Sequence, residues 1–502
     1  MHIETFLKHW NIQENPFQAE EARDDPVFQR LIDHHVSHPD FEKIYGNPEQ
    51  PGAAVVFGEK GSGKTALRLL IHKKLKEHNE LNPKKSVWAV HYDDLNPVLD
   101  RFTHNTCREK KEKNSLEGFR LEDHMDAILS IATTRLIDML QEPRTHDAKT
   151  KKIRSLIRKM PRQKRFDLAV LAILYDQPVA GNPQERWAKL GNLLRCGKGP
   201  GLSLRLHAGL LTLVLNALFA IGIWGLSIFN WPVIMGFGVS AFLAIVLFAS
   251  WSWRHMKLRK LVRQIRKEIF VIDRDPHQIL NKFGQLPIHA LESQPIPVPG
   301  GQDSRYQLTV RLLHILKELG YIGMTIMVDR IDEPTLVKGD PSKMKTIVWP
   351  LLDNKFLQQE FIGVKLLLPI ELRHLLRRED AWFFQKARLD KQHLIDPLTW
   401  SGSTLYDLCN HRLAICKTDG APAVALVDLF EDDVSQQDII EALDQMNQPR
   451  DAFKLIYQVL QEHGLHSSEQ NPCWQIPKLT LEHVRRQQRQ RVEELHRGLG
   501  PA

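Results

Sequence analysis

The chain has 502 residues, 42% of them hydrophobic and 25% charged, with a formal charge of +8 and a pI near 9.1. That balance belongs to a folded chain rather than a disordered one, and the length allows two to four ordinary domains or one heavily inserted one. The five cysteines (Cys107, Cys196, Cys409, Cys416 and Cys473) are odd in number and scattered, which argues against a disulfide framework, and Cys409, His411 and Cys416 fit no common zinc spacing.

Residues 1–50 read as polar and broken, with turn signals at Asn15-Pro16-Phe17 and Asp24-Asp25-Pro26. Met1 to Phe6 lacks a charged stretch leading into an apolar core, so no cleavable signal peptide is expected. The apolar run Ala53–Phe57 predicts a buried strand, Ala66–Leu75 a helix and Val87–Tyr92 a second strand. Helical periodicity follows over 121–141, then a basic stretch at 144–165 and a buried helix from Phe166 to Tyr175.

Leu206 to Phe229 and Val233 to Trp253 are both apolar, joined by the turn Asn230-Trp231-Pro232. Each is long enough for a bilayer core, which takes roughly 20 helical residues, so a two-helix transmembrane hairpin is expected. Trp224, Trp231, Trp251 and Trp253 lie near its ends. Arg195, Lys198 and Arg205 precede it, and Arg254, Lys257, Arg259, Lys260, Arg263, Arg266 and Lys267 follow it. Lysines and arginines on both flanks, with none in the turn, predict cytoplasmic flanks and a basic helix near anionic headgroups. Residues 284–303 read as a linker, Tyr306–Leu319 as a helix, and Gly323–Val328, Phe361–Leu368 and His393–Trp400 as strands. From 403 onward the chain reads helical and ends in a charged tail at 480–498.

Gly58-Glu59-Lys60-Gly61-Ser62-Gly63-Lys64-Thr65 matches G-x-x-x-x-G-K-[ST] at every fixed position, between a predicted strand and a predicted helix. In such a loop Gly58, Gly61, Ser62 and Gly63 turn backbone N–H groups toward phosphates, beside a helix N-terminus. Lys64 reaches the β- and γ-phosphates, and Thr65 offers its hydroxyl to Mg²⁺. Thr325–Val328 ending in Asp329 supplies the metal-side acid, and Asp332 or Glu333 would polarise an attacking water. The two motifs stand about 265 residues apart, so the intervening chain, hairpin included, reads as inserted material.

This arrangement resembles the KAP P-loop NTPases, which carry membrane helices between their two nucleotide motifs, and in broader layout is similar to AAA+ and STAND ATPases. The resemblance rests on Gly58–Thr65, the hairpin at 206–253, Asp329 with Asp332, and Gln448-Pro449-Arg450. It implies an α/β fold with a parallel sheet core, a large helical insertion and a C-terminal helical region. It implies ATP and Mg²⁺ as cofactors, and Arg450 as a γ-phosphate sensor. Arg330 departs from the family's pattern, since a catalytic carboxylate often stands directly after the metal-side acid. The strand ending at Leu368 lacks the usual small polar sensor, which leaves Glu371 and Arg373 in that place. Arg377, Arg378 and Arg388 are either fingers toward a neighbouring subunit or surface charges.

The expected division is an N-terminal segment (1–45), a first part of the nucleotide core (46–100), a helical insertion (101–205) and the hairpin (206–253). A basic helix with linker (254–303), the second part of the core (304–402) and a C-terminal helical region with tail (403–502) complete it. The functional expectation is a membrane ATPase or ATP-dependent switch, acting on an unknown protein partner or as a homo-oligomer. One alternative is a scaffold that binds nucleotide without hydrolysing it. The other is a membrane-tethered ATPase handling nucleic acid, motivated by the pI and the tail Arg485–Arg491, but no nucleic-acid recognition signature accompanies them.

Overall fold

The computed structural model describes the chain apart from positions 20, 33–37, 111–115, 142–147, 179–180, 197–206, 208–209, 213, 215, 219–220, 222–230, 274, 288–290, 300–302, 469 and 497–502. The chain divides into two compact units, Met1–Pro83 with Thr325–Ala502 (unit 1) and Lys84–Met324 (unit 2).

Strands β1 (Ala54–Gly58), β2 (Ser86–Tyr92), β3 (Tyr321–Val328), β4 (Ile362–Pro369) and β5 (His393–Ile395) form a parallel sheet ordered β2-β3-β4-β1-β5. β1 runs beside both β4 and β5, with Val55 opposite Leu366 and Leu394. Every residue of β1 and β4 is buried. That is why these strands read as continuous apolar runs rather than alternating ones. Lys365 breaks the run in β4, and its Nζ donates to Gly52 O at 3.0 Å. β5 stops at Ile395, short of the expected Trp400. Asp396 follows, held by Arg373 and Arg377, and Pro397 has no N–H to continue the ladder.

In unit 1 the helix Lys64–Leu81 buries Leu67, Leu70, Ile71 and Leu75, one stripe at helical spacing. The C-terminal helices Gly402–Cys416, Gln436–Asp444, Pro449–His466 and Lys478–His496 form a second core. Phe6, Leu7, Ile12, Phe17 and Val27 of the N-terminal segment belong to that core, beside Leu405, Leu413 and Leu455. Gln13 N–H donates to Cys416 O at 2.8 Å, and Asp25 caps the helix Pro26–Leu31. Part of the stretch that reads as polar and broken is thus packed into the helical region. The charged tail lies on the helix Lys478–His496, which buries Leu481, Val484, Gln488 and Val492. Cys409 and Cys416 lie buried in this core while His411 is exposed, so the three build no zinc site.

Unit 2 is mainly helical, with Leu121–Gln141, Arg162–Tyr175 and Ser304–Glu318 among its elements. Its interior holds a polar knot. Arg305 donates to both oxygens of Asp126, at 3.2 and 3.1 Å, and to Glu268 O at 2.8 Å. Tyr175 Oη donates to Asp126 at 2.7 Å. Asp126 and Arg305 are both buried, and removing one partner of such a pair costs about 3–5 kcal/mol.

Most of the expected first transmembrane half lies outside the described residues. The second falls on the helix Trp231–Glu268. Among the described residues no helix is long and apolar enough to cross a membrane. The described apolar side chains of that helix's first half, Val239, Phe242, Ile245, Leu247 and Phe248, are exposed.

Candidate functional site

The glycine-rich loop 58–65 joins β1 to the helix Lys64–Leu81 at the carboxyl end of the sheet, where ligands of open parallel sheets bind. Gly61 (φ +100°) and Gly63 (φ +92°) hold backbone conformations that L side chains rarely adopt. Lys64 Nζ folds back onto the loop and donates to Gly58 O and Glu59 O, each at 2.8 Å. Burial pushes its ammonium below the ordinary lysine range, against the opposing pull of Asp332, Asp329 and Glu371.

Asp329 follows β3 directly. Its Oδ2 accepts from Thr65 Oγ1 at 3.0 Å and from Arg68 Nε at 3.2 Å, and its Oδ1 accepts from Arg330 N–H at 3.0 Å. Burial raises its carboxyl pKa, opposed chiefly by Arg68. Thr65 and Asp329 are therefore in contact across 264 positions of sequence. Arg330 has a positive φ of 61° and pairs with the exposed Glu333. Asp332 is half-buried and faces Lys64 electrostatically, so the two carboxylates left open by sequence stand in different settings.

A cleft of about 670 Å³ runs from the loop to the helical region, entirely within unit 1. Gly61, Gly63, Lys64, Thr65, Asp329, Asp332, Glu333, Glu371 and Arg450 line it, together with His38, Trp400, Leu408 and Phe453. Arg450 sits at the start of the helix Pro449–His466, with its N–H 3.5 Å from Gly61 O. Arg450 Nε and Ser62 Oγ are buried with no hydrogen-bond partner among the described residues. Arg373 does not join the cleft's lining, because it is paired with Asp396. Arg377 also reaches Asp396, at 3.3 Å, and Arg388 pairs with Asp390 at 3.2 Å, so both arginines are engaged at the surface.

Three contacts carried no sequence signal. Trp400 Nε1 donates to Ser62 O at 2.9 Å, its ring edge-on to His38 at 4.8 Å. Gln448 Nε2 donates to the Glu59 carboxylate, tying the helical region to the loop. Arg68, an ordinary helix residue by pattern, reaches Asp329. Gln448 stood out only as part of Gln448-Pro449-Arg450, which says nothing of a contact with Glu59.

Among the described residues no cluster of three or more His, Cys, Asp or Glu side chains forms a metal site of its own. Magnesium bound with a nucleotide needs only one or two protein oxygens plus phosphate. The Thr65 hydroxyl and the Asp329 carboxylate are hard oxygen donors of that kind, and Arg450, whose Nε has no partner among the described residues, lines the same cleft and suits phosphate oxygens; Ser62 is fully buried and does not line the cleft. In comparisons with known proteins, no family model, no curated relative and no solved structure matches this chain.

Proposed function

We propose that this chain binds ATP with Mg²⁺ in the unit 1 cleft and acts as an ATPase or an ATP-driven switch. The observation that carries this reading is Lys64, a half-buried ammonium held by two loop carbonyls at 2.8 Å, in a loop whose Gly61 and Gly63 have positive φ. Phosphate oxygens would replace those carbonyls, and the helix N-terminus adds favourable partial charge. Thr65 and Asp329 would hold the metal, which neutralises charge on the phosphates. Arg450 would meet the γ-phosphate. Asp332 suits the water-polarising role better than Glu333, because Glu333 is spent on Arg330. The test is phosphate release from ATP by the full chain in nanodiscs, beside Lys64→Ala. Turnover that vanishes in the variant is expected, and turnover that survives it sinks the reading. Tight ATP binding without turnover in the wild type would instead favour the non-hydrolysing scaffold.

We also propose that residues 206–253 hold the chain in a bilayer with both flanks on the cytoplasmic side. Support comes from the exposed Val239, Phe242, Ile245 and Phe248, followed on the same helix by exposed Arg259, Lys260 and Arg263. The full chain should stay with lipid vesicles through an alkaline carbonate wash; release into the wash would count against an embedded segment.

A further inference from the structure

Arg68 lies three residues after Thr65 on the helix Lys64–Leu81, a spacing that puts both side chains on one face. Both donate to the same oxygen, Asp329 Oδ2, at 3.0 Å from Thr65 and 3.2 Å from Arg68. The other carboxylate oxygen accepts from Arg330 N–H at 3.0 Å. Arg68 is 4% exposed and Asp329 1%, so the pair is shielded from water. Among the described residues Asp329 thus has three donors, one of them a cation.

A buried carboxylate that waited for a divalent cation would be costly whenever the cation was absent. Arg68 offsets part of that cost, and because a guanidinium does not deprotonate, it does so at every ordinary pH. It also lessens the share of the binding energy that a cation at Asp329 would have to supply. The Thr65 hydroxyl stays oriented with or without metal, and Lys64 and Arg450 remain to meet phosphate.

We infer that Arg68 is a built-in counter-cation of Asp329, and that nucleotide binding in this cleft therefore tolerates the loss of divalent metal. The inference rests on the ATP reading above. Arg68 is a positioning residue here, acting through Asp329.

The test is the affinity of the full chain for a fluorescent ATP analogue, by polarisation, in Mg²⁺ and in EDTA. Wild-type affinity should differ by less than about tenfold between the two, the equivalent of one decade in Kd. Arg68→Gln keeps a donor toward Asp329 but removes the charge, and should widen that ratio by about tenfold or more. Arg68→Lys keeps the charge and should stay near wild type; melting curves of both variants check folding. A wild-type ratio of about a hundredfold, or equal ratios in wild type and Arg68→Gln, overturns the inference and leaves the ATP reading intact. No binding in either buffer overturns both.

Discussion

Lys365 is a buried residue in the middle of a strand, and its Nζ donates to Gly52 O at 3.0 Å. Burial pushes its pKa down to about 8. Below pH 8 it is charged in the folded and unfolded chain alike, and the full burial cost is present. Between pH 8 and the ordinary lysine range the unfolded chain binds a proton that the folded chain lacks, so stability rises with pH. The shift corresponds to roughly 3 kcal/mol, of which the lost hydrogen bond would return about 1. Lys365→Met is therefore expected to stabilise unit 1 by roughly 2 kcal/mol at pH 7, and to flatten the rise of the urea midpoint between pH 8 and 10 relative to wild type. At this scale legibility followed fixed offsets. Lys64, Thr65 and Asp329 could be picked out because each sits at a set distance from glycines or from a strand end. Arg68, Trp400 and Lys365 have no such marker, and an arginine inside a helix reads as a solvated charge until the fold supplies its partner.

Among the elements, the helices Gly402–Cys416 and Gln436–Asp444 meet at a glycine. A Cβ on Gly402 would lie 2.3 Å from Ile440 O and 2.8 Å from Asp444 Cβ, and Gly402 N–H donates to Asp444 at 2.8 Å. The obstruction is largely backbone, so the helices must part. Gly402→Ala should destabilise the chain by about 1–3 kcal/mol, read as a lower thermal midpoint, whereas a neutral substitution would show that the two helices shift freely. The apolar strands and long periodic helices were legible because burial on both faces, or on one stripe, writes itself into composition. β5 was legible only in part, since the three residues of His393–Ile395 are too few to show a pattern. The N-terminal helices were missed because Phe6, Leu7, Ile12 and Phe17 are too sparse to display a period, and what buries them lies about 400 positions away.

Across the whole molecule, the compact unit Lys84–Met324 interrupts unit 1 in the chain between Thr65 and Asp329. Which chain segments would share a core was not legible, because long-range packing leaves no local trace. The seating of Phe6, Leu7 and Ile12 beside Leu405, Leu413 and Leu455 also bears on time. At about 5–20 residues per second, roughly 20–80 s pass on the ribosome between the synthesis of the first apolar residues and that of the helices that cover them. Throughout that interval unit 2 can be completed while the first strand, its glycine-rich loop and the opening helix wait unburied. The unit 1 cleft, lined by residues from both of that unit's chain segments, is then among the last features to close, and Phe6, Leu7 and Ile12 stay uncovered until then.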